Sequence, residues 1–265
     1  MAFYIREAAD RFASTEMTRG PWDAGAQHGG PPSALVGHLV ESRPGARPDM
    51  RVTRLTVELF RPVPIAPLNV ASRIVHSGRS VEVVEVTLTP DDGKAALRAT
   101  AQRIRTAEDD WADESGAQLP PPEGIAPRQF EFPFEVGYHS ALDTRFFAGS
   151  FAERGAATCW IRLREPIVED EPISPLSRVL AAADSGNGIS NVLDFDRYVY
   201  INPDLTVVLH RYPAGEWVAL DARTTLGGDG IGVADTALHD ERGQIGRGVQ
   251  SLFVAPRPAR QDMQS

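Results

Sequence analysis

The chain has 265 residues, 42% hydrophobic and 24% charged, with a formal net charge of −9, the make-up of a globular protein long enough for two ordinary domains. The acidic balance argues against nucleic acid or an anionic membrane as the main partner, and the single cysteine, Cys159, excludes an intrachain disulfide and suits a reducing compartment. No apolar run approaches the roughly 18 residues of a membrane span. The first residues have neither a basic n-region nor an apolar h-region, so a cytoplasmic protein is expected.

In chain order, residues 3–13 fit either a short strand or a helical turn, and Thr18 to Gly25 reads as a turn-rich connection. After Gln27-His28-Gly29-Gly30, the run Pro31 to Glu41 predicts a helix: prolines are tolerated in a first turn, and Ala34, Leu35, His38 and Leu39 recur at helical spacing. Residues 51–102 predict three or four antiparallel strands. There Val81, Val83 and Glu85 fall on one strand face and Glu82, Val84 and Val86 on the other. Residues 106–128 are too acidic and proline-rich to build a core and read as a linker. Thr158 to Leu163 predicts a strand. Ser174-Pro175 supplies an N-cap and first turn for a helix through Leu176, Val179, Leu180 and Ala183, breaking at Gly186-Asn187-Gly188. Strands follow near 198–210, 216–224, 231–239 and 244–254, and the last residues read as a loose tail.

One pattern occurs twice. Leu55-Thr56-Val57-Glu58-Leu59-Phe60-Arg61-Pro62 returns as Leu205-Thr206-Val207-Val208-Leu209-His210-Arg211-Tyr212, and each copy is followed by an acidic glycine turn, Asp91-Asp92-Gly93 or Asp240-Glu241-Arg242-Gly243. A strand with a glutamine comes next, Gln102 or Gln250. An offset kept over several elements points to duplication of a whole structural unit. The expected class is α+β: two tandem units, 1–105 and 129–257, joined by the linker 106–128 and followed by the tail 258–265. A helix wrapped by a curved sheet in each unit would bury its apolar stripe, and pairing the two sheets edge to edge would protect those edges.

Most chemical motifs are missing. There is no G-x-S-x-G elbow, no phosphate-binding loop of the G-x-x-x-x-G-K type and no H-E-x-x-H. Gly227 to Gly232 lies between predicted strands and reads as a turn. The six histidines never stand at close metal-ligand spacing, so no metal is expected, and Cys159 reads as a core thiol rather than a nucleophile. Asp184, at the end of the second helix among small residues, is either a working carboxylate tuned by burial or a group bonding the glycine turn that follows. The first helix carries approximately His38 at the corresponding place, so one site rather than two is expected. Gln250 interrupts an apolar strand, and Asn202 precedes Pro203-Asp204. Each amide could be structural; together with Asp184 they could hold and polarise a water molecule. His28-Gly29-Gly30 either permits a tight turn or presents open N–H groups to a carbonyl or oxyanion.

These residues resemble the acyl-CoA thioesterase II family and its thioesterase-like relatives over about 18–257. The most specific parts are His28-Gly29-Gly30-Pro31, Phe60-Arg61-Pro62, Ile201 to Val207, Gly215-Glu216-Trp217-Val218 and Gly246 to Leu252. The resemblance implies a double hotdog fold and hydrolysis of acyl-CoA, or of a related acyl thioester on a carrier protein, as part of fatty acid metabolism. It implies no cofactor. Asp184 and Gln250 match the family's catalytic aspartate and glutamine. Asn202 stands where the family has threonine, unless a slip of register brings in Thr206. His28, Gly29 and Gly30 would hold the substrate, with the Gly30 amide facing Asp184 across the internal interface, and the acyl chain would lie between helix and sheet. Further homo-oligomerisation is compatible with such units. Two other functions compete: a non-catalytic acyl-binding protein of the same fold, and an enoyl-CoA hydratase, which is disfavoured because no histidine lies within twenty residues of Asp184.

Overall fold

The computed structural model describes residues 1–108, 116, 118–130, 132 and 135–257; the tail 258–265 and part of the 106–128 segment lie outside the described residues. In chain order the elements are β1 (Tyr4–Ala8), β2 (Arg11–Ser14), α1 (Gly30–Ser42), β3 (Met50–Leu59), β4 (Pro67–Ser77), β5 (Val81–Pro90) and β6 (Leu97–Arg105). The second half contains α2 (Gly137–Ser140), β7 (Leu142–Ala148), β8 (Ala157–Leu163), α3 (Pro175–Ala183), α4 (Gly186–Ile189), β9 (Tyr198–Ile201), β10 (Asp204–Leu209), β11 (Val218–Leu226), β12 (Ile231–Asp240) and β13 (Gly243–Pro256). The first segment is therefore a strand hairpin rather than a helical turn. No helix among the described residues is long and apolar enough to cross a membrane.

All named strands join one antiparallel sheet in the order β1-β2-β4-β5-β6-β3-β10-β13-β12-β11-β8-β7, with β9 paired to the end of β13. That order is a palindrome of two six-strand halves meeting at β3 and β10. There Thr56 lies opposite Thr206, and their hydroxyls are 3.1 Å apart. Each threonine is the other's counterpart in the duplicated motif, so a pseudo-twofold axis passes between them. The latch after each strand is duplicated too: Arg61 bonds Asp92 at 2.6 Å, and Arg211 grips both oxygens of Asp240.

The register corrects one reading of the repeat. Leu55 faces Ala101, and continuing the β10–β13 pairing from Thr206↔Val249 sets Leu205 opposite Gln250. Ala101, not Gln102, is thus the counterpart of Gln250. Neighbouring residues of a strand point to opposite faces, so a one-residue difference separates inside from outside. Gln102 itself falls on the opposite face of β6 from the buried Ala99, Ala101 and Arg103.

Strand β5 alternates half-buried and buried positions along its length, as its valine spacing dictates. Glu82 falls on the buried face, where Arg103 and Arg43 each donate to its Oε1 at 2.6 Å. Strand β8 is buried on both faces. Cys159 and Ile161 join the main core, whereas Trp160 packs with Trp217, Leu119 and Ile125 on the other side and donates its indole N–H to Pro120 O at 2.9 Å. Residues of the acidic, proline-rich segment thereby cover one sheet face with two apolar side chains. Burial pushes the Cys159 thiol up to about 12, which removes it as a nucleophile at neutral pH.

Helix α1 ends at Ser42 because Arg43 precedes Pro44 and adopts an extended ψ of 144°. Helix α3 starts where Ser174 Oγ accepts the Ser177 N–H at 3.1 Å. The two helices approach closely through small residues. A Cβ on Gly37 would lie 2.5 Å from Leu180 Cδ1, and Ser177 Oγ donates to Ala34 O at 3.1 Å. The second helix does not end at the glycines as expected. It stops at Asp184, and Gly186-Asn187-Gly188 begin a further helical turn, α4.

Burial alone would raise the Glu82 carboxyl, yet the hydrogen bonds from Arg103 and Arg43 hold it below the ordinary value. A carboxyl depressed in the folded state adds stability above its unfolded pKa and loses it as pH falls through the folded value. Glu82→Gln is expected to destabilise the fold by about 3 kcal/mol at neutral pH, since it leaves buried Arg103 without its counter-charge. Urea unfolding should show this gap narrowing below about pH 4, where wild-type Glu82 also becomes protonated.

Candidate active site

Asp184 caps α3 and is 3% exposed. Three other elements converge on it. Asn202, from the corner between β9 and β10, donates its amide to Asp184 Oδ1 at 2.8 Å. Gln250, inward-facing on β13, donates to Asp184 O at 3.1 Å and reaches Oδ1 at 3.4 Å. His28 Nδ1, from the loop before α1, lies 3.0 Å from Oδ2.

Each partner is placed by a local cause. Pro203 has no N–H to give a ladder, so opposite Leu59, in register with Asp204 opposite Glu58, it keeps one bond only, accepting the Leu59 N–H through its carbonyl as the chain turns the corner from β9. That corner turns the Asn202 side chain inward. Gln250 completes its bonds by accepting the Asn187 N–H at 3.0 Å through Oε1. The α3–α4 corner is pressed against β12 and β13 so closely that a Cβ on Gly186 would lie 2.5 Å from Thr236 Oγ1. Thr206 takes no part, because its hydroxyl is at the pseudo-twofold axis bonded to Thr56. Asn202 therefore occupies the third position beside Asp184 and Gln250.

The glycines before α1 are demanded by contact. A Cβ on Gly29 would stand 2.7 Å from Asp184 Oδ2, and one on Gly30 would stand 2.6 Å from Ala181 O. It is Gly29, one residue earlier than expected, whose Cα faces the carboxylate. The Gly30 N–H points at His28 Nδ1, 3.0 Å away. A ring nitrogen carries either a lone pair or a proton, so the Gly30 amide and the Asp184 carboxylate compete for Nδ1. When Nδ1 donates to Asp184, the Gly30 N–H is released for another acceptor.

The His28 imidazole itself is the group that sequence reasoning missed as a partner of Asp184. The two residues are far apart in the chain, and only the fold brings them together. Tyr138 was missed altogether. Its ring stacks on His28 with centroids 4.0 Å apart, and its hydroxyl donates to Ala181 O at 2.6 Å, fixing the imidazole plane to α3. Burial raises this phenol. Behind it His139 is buried among Phe130, Phe132 and Tyr138. Burial, with His28 alongside, lowers its pKa well below the ordinary histidine value, which keeps it neutral. His38 meets Glu171 at 3.1 Å, so the first helix carries a base facing an acid where the second carries an acid facing a base. Among the described residues no group of three or more His, Cys, Asp or Glu is arranged to hold a metal.

A cavity of about 260 Å³ lies over this cluster, walled by His28, Gly29, Asp184 and Asn202 at depth and by Leu59, Val63 and Trp22 at the sides. A buried carboxylate with two amides and an imidazole at the foot of an apolar cavity can bind one water and take its proton. Gly29→Ala is expected to displace Asp184 Oδ2 while keeping helical backbone angles. Activity should fall about a hundredfold, the scale of losing one aligned catalytic group, with a melting temperature within a few degrees of wild type by calorimetry.

Comparison with known proteins agrees with this architecture. A hot dog fold protein from Alicyclobacillus acidocaldarius is 17% identical, with 96% of each chain covered and a TM-score of 0.73. An acyl-CoA thioesterase II from Mycobacterium marinum is 15% identical, covering 97% of this chain and 96% of its own, with a TM-score of 0.68. A tesB protein from Mycobacterium avium subsp. paratuberculosis is 15% identical over 96% of both chains, with a TM-score of 0.67. At these identities the likeness shows the fold, the hotdog fold in a two-domain arrangement. No curated protein sequence matches the chain. Residues 18–104 match the acyl-CoA thioesterase N-terminal domain and residues 116–254 match the acyl-CoA thioesterase C-terminal domain, and on that match the chain belongs to the acyl-CoA thioesterase family.

Proposed function

We propose that the protein hydrolyses acyl-CoA thioesters to the free acid and the thiol by direct attack of water, with Asp184 as general base and no covalent acyl intermediate. The observation that carries this reading is the buried Asp184 carboxylate held by Asn202, Gln250 and His28 at the foot of an apolar cavity. Among the described residues no serine, threonine or cysteine lines the cavity to serve as nucleophile, and Cys159 is sealed in the core.

In the proposed reaction the thioester carbonyl takes the Gly30 N–H while His28 Nδ1 turns its proton to Asp184. Water held by Asp184, whose carboxylate is aimed by the Asn202 and Gln250 amides donating to Oδ1, loses a proton to the carboxylate as its oxygen attacks the carbonyl carbon. The oxyanion is met by backbone N–H at the start of α1, where the helix dipole favours negative charge. Collapse of the tetrahedral species breaks the carbon–sulfur bond, and the leaving thiolate takes the proton back from Asp184. Asparagine in place of the family threonine suits this scheme, since its carboxamide donates directly to Oδ1 and keeps the carboxylate aimed. A carrier-protein thioester would meet the same chemistry.

Thiol release from acyl-CoA esters of graded chain length tests the reading. Asp184→Asn preserves shape and hydrogen bonding but removes the base, and kcat is expected to fall about 10²–10⁴-fold with KM little changed. Asn202→Ala and Gln250→Ala should each cost less than Asp184→Asn. Thiol release that is unaffected in a folded Asp184→Asn variant would sink the mechanism, and no release from any ester would favour a binding protein.

A further inference from the structure

The two halves of the duplication carry the same arginine latch in different states. Arg211 uses two nitrogens on the two oxygens of Asp240, and the pair is 15% and 0% exposed. Arg61 makes its protein bonds through one nitrogen only: Nη2 donates to Asp92 Oδ1 at 2.6 Å and to Lys94 O at 2.7 Å. Its Nε is buried without a partner among the described residues, and both Nη1 hydrogens are likewise unclaimed there. The Arg61–Asp92 pair is open to solvent, with side chains 32% and 48% exposed. Arg61 also lines the cavity above Asp184 and is the only arginine or lysine among the described residues that does. A guanidinium has five N–H donors in a rigid fork, so this copy of the latch holds donors to spare at the active-site cavity.

The cavity has a direction. Its walls run from Asp184 and Asn202, 3% and 8% exposed, to Ile201 and Phe253, 39% and 58% exposed. Ile201 and Phe253 are register neighbours across β9 and β13, and Ile231 extends the row on β12. Arg61 therefore stands at the mouth with an apolar strip in the same opening. At about 260 Å³ the cavity is below the usual ~300–1,000 Å³ of ligand pockets, too small to take a nucleotide or a carrier domain as well as the thioester. The thiol's arm has to leave through this mouth.

We infer that Arg61 and the Ile201–Phe253 strip form the binding site for the pantetheine arm of the leaving thiol. Arg61 donates to an amide carbonyl of the arm, and the strip packs against its methylene and dimethyl carbons. The assignment rests on the hydrolase reading for its choice of ligand. Pantetheine is common to coenzyme A and to a loaded carrier protein, and both thiols present it at the same place.

Direct binding of the free thiols tests this without turnover. Calorimetric titration with coenzyme A, pantetheine and propanethiol should show Arg61→Met weakening the first two alike, about tenfold, and leaving propanethiol unchanged. Asp92→Asn breaks the latch but keeps the guanidinium, so it should bind within twofold of wild type. Phe253→Ser touches neither latch residue and should raise KM for acyl-CoA severalfold with kcat preserved, which carries the test even if Arg61→Met melts early. Titration with a phosphopantetheine-loaded carrier protein then ranks the two sources of the arm. Equal loss in Asp92→Asn would reduce Arg61 to a structural role and overturn the proposal, as would unchanged binding in Arg61→Met together with an unchanged KM in Phe253→Ser. Loss for coenzyme A but not pantetheine would move Arg61 to the nucleotide phosphates and overturn it too. A protein that binds the arm as expected but releases no thiol would refute the hydrolytic reading and leave this one standing.

Discussion

The pairing of β3 with β10 about the Thr56–Thr206 contact is the constraint on which the rest of the structure depends. It closes the open edge of each half against the other, which puts β1 and β7 at the two ends of the strand order. The same pairing sets α1 and α3 side by side. Their close approach through Gly37, Ala34 and Ser177 lays the loop before α1 against the end of α3. The His28–Asp184 distance and the close approach of Gly29 and Gly30 follow from that placement, because these residues and Asp184 belong to different halves.

Duplication repeats the structural unit, but the two halves differ at each position of the candidate site. Ala101 stands where Gln250 does, and Met50-Arg51-Val52-Thr53 already belong to β3 where the other half has the end of β9 and a proline corner. His38 with Glu171 replaces Asp184 with His28. One half carries the glycine loop and the other the carboxylate, so the candidate site sits on the interface and draws on both halves. Asp184 is costly to bury, and its three donors offset that cost while fixing its aim.

The element pattern was legible in the sequence wherever one physical cause acts alone. Alternating valines predicted β5, and Ser174-Pro175 placed the start of α3 at the observed residue. Strand β7 was not legible, because both faces of its partner β8 are covered and the periodicity around it is blurred. The misjudged end of α3 has a related cause. Glycine reads as a helix breaker, but at Gly186 it is there because Thr236 and Gln250 leave no room for a Cβ. The site was half legible. Asp184, Gln250 and Asn202 stood out as polar residues in apolar or turn surroundings, whereas Tyr138 carries no signal of its own.

The sequence by itself determined the duplication, the residue types of the site and membership of a thioesterase-like family, since these depend on spacing and composition along one chain. Only the tertiary structure decided which glutamine points inward, which glycine touches the carboxylate and that a histidine far away in the chain lies 3.0 Å from Asp184. Strand register flips a side chain between faces with a one-residue step, and such a step leaves almost no trace in composition. Contacts across the pseudo-twofold axis leave none, because nothing in the local pattern of either half records what the other half will bring to it.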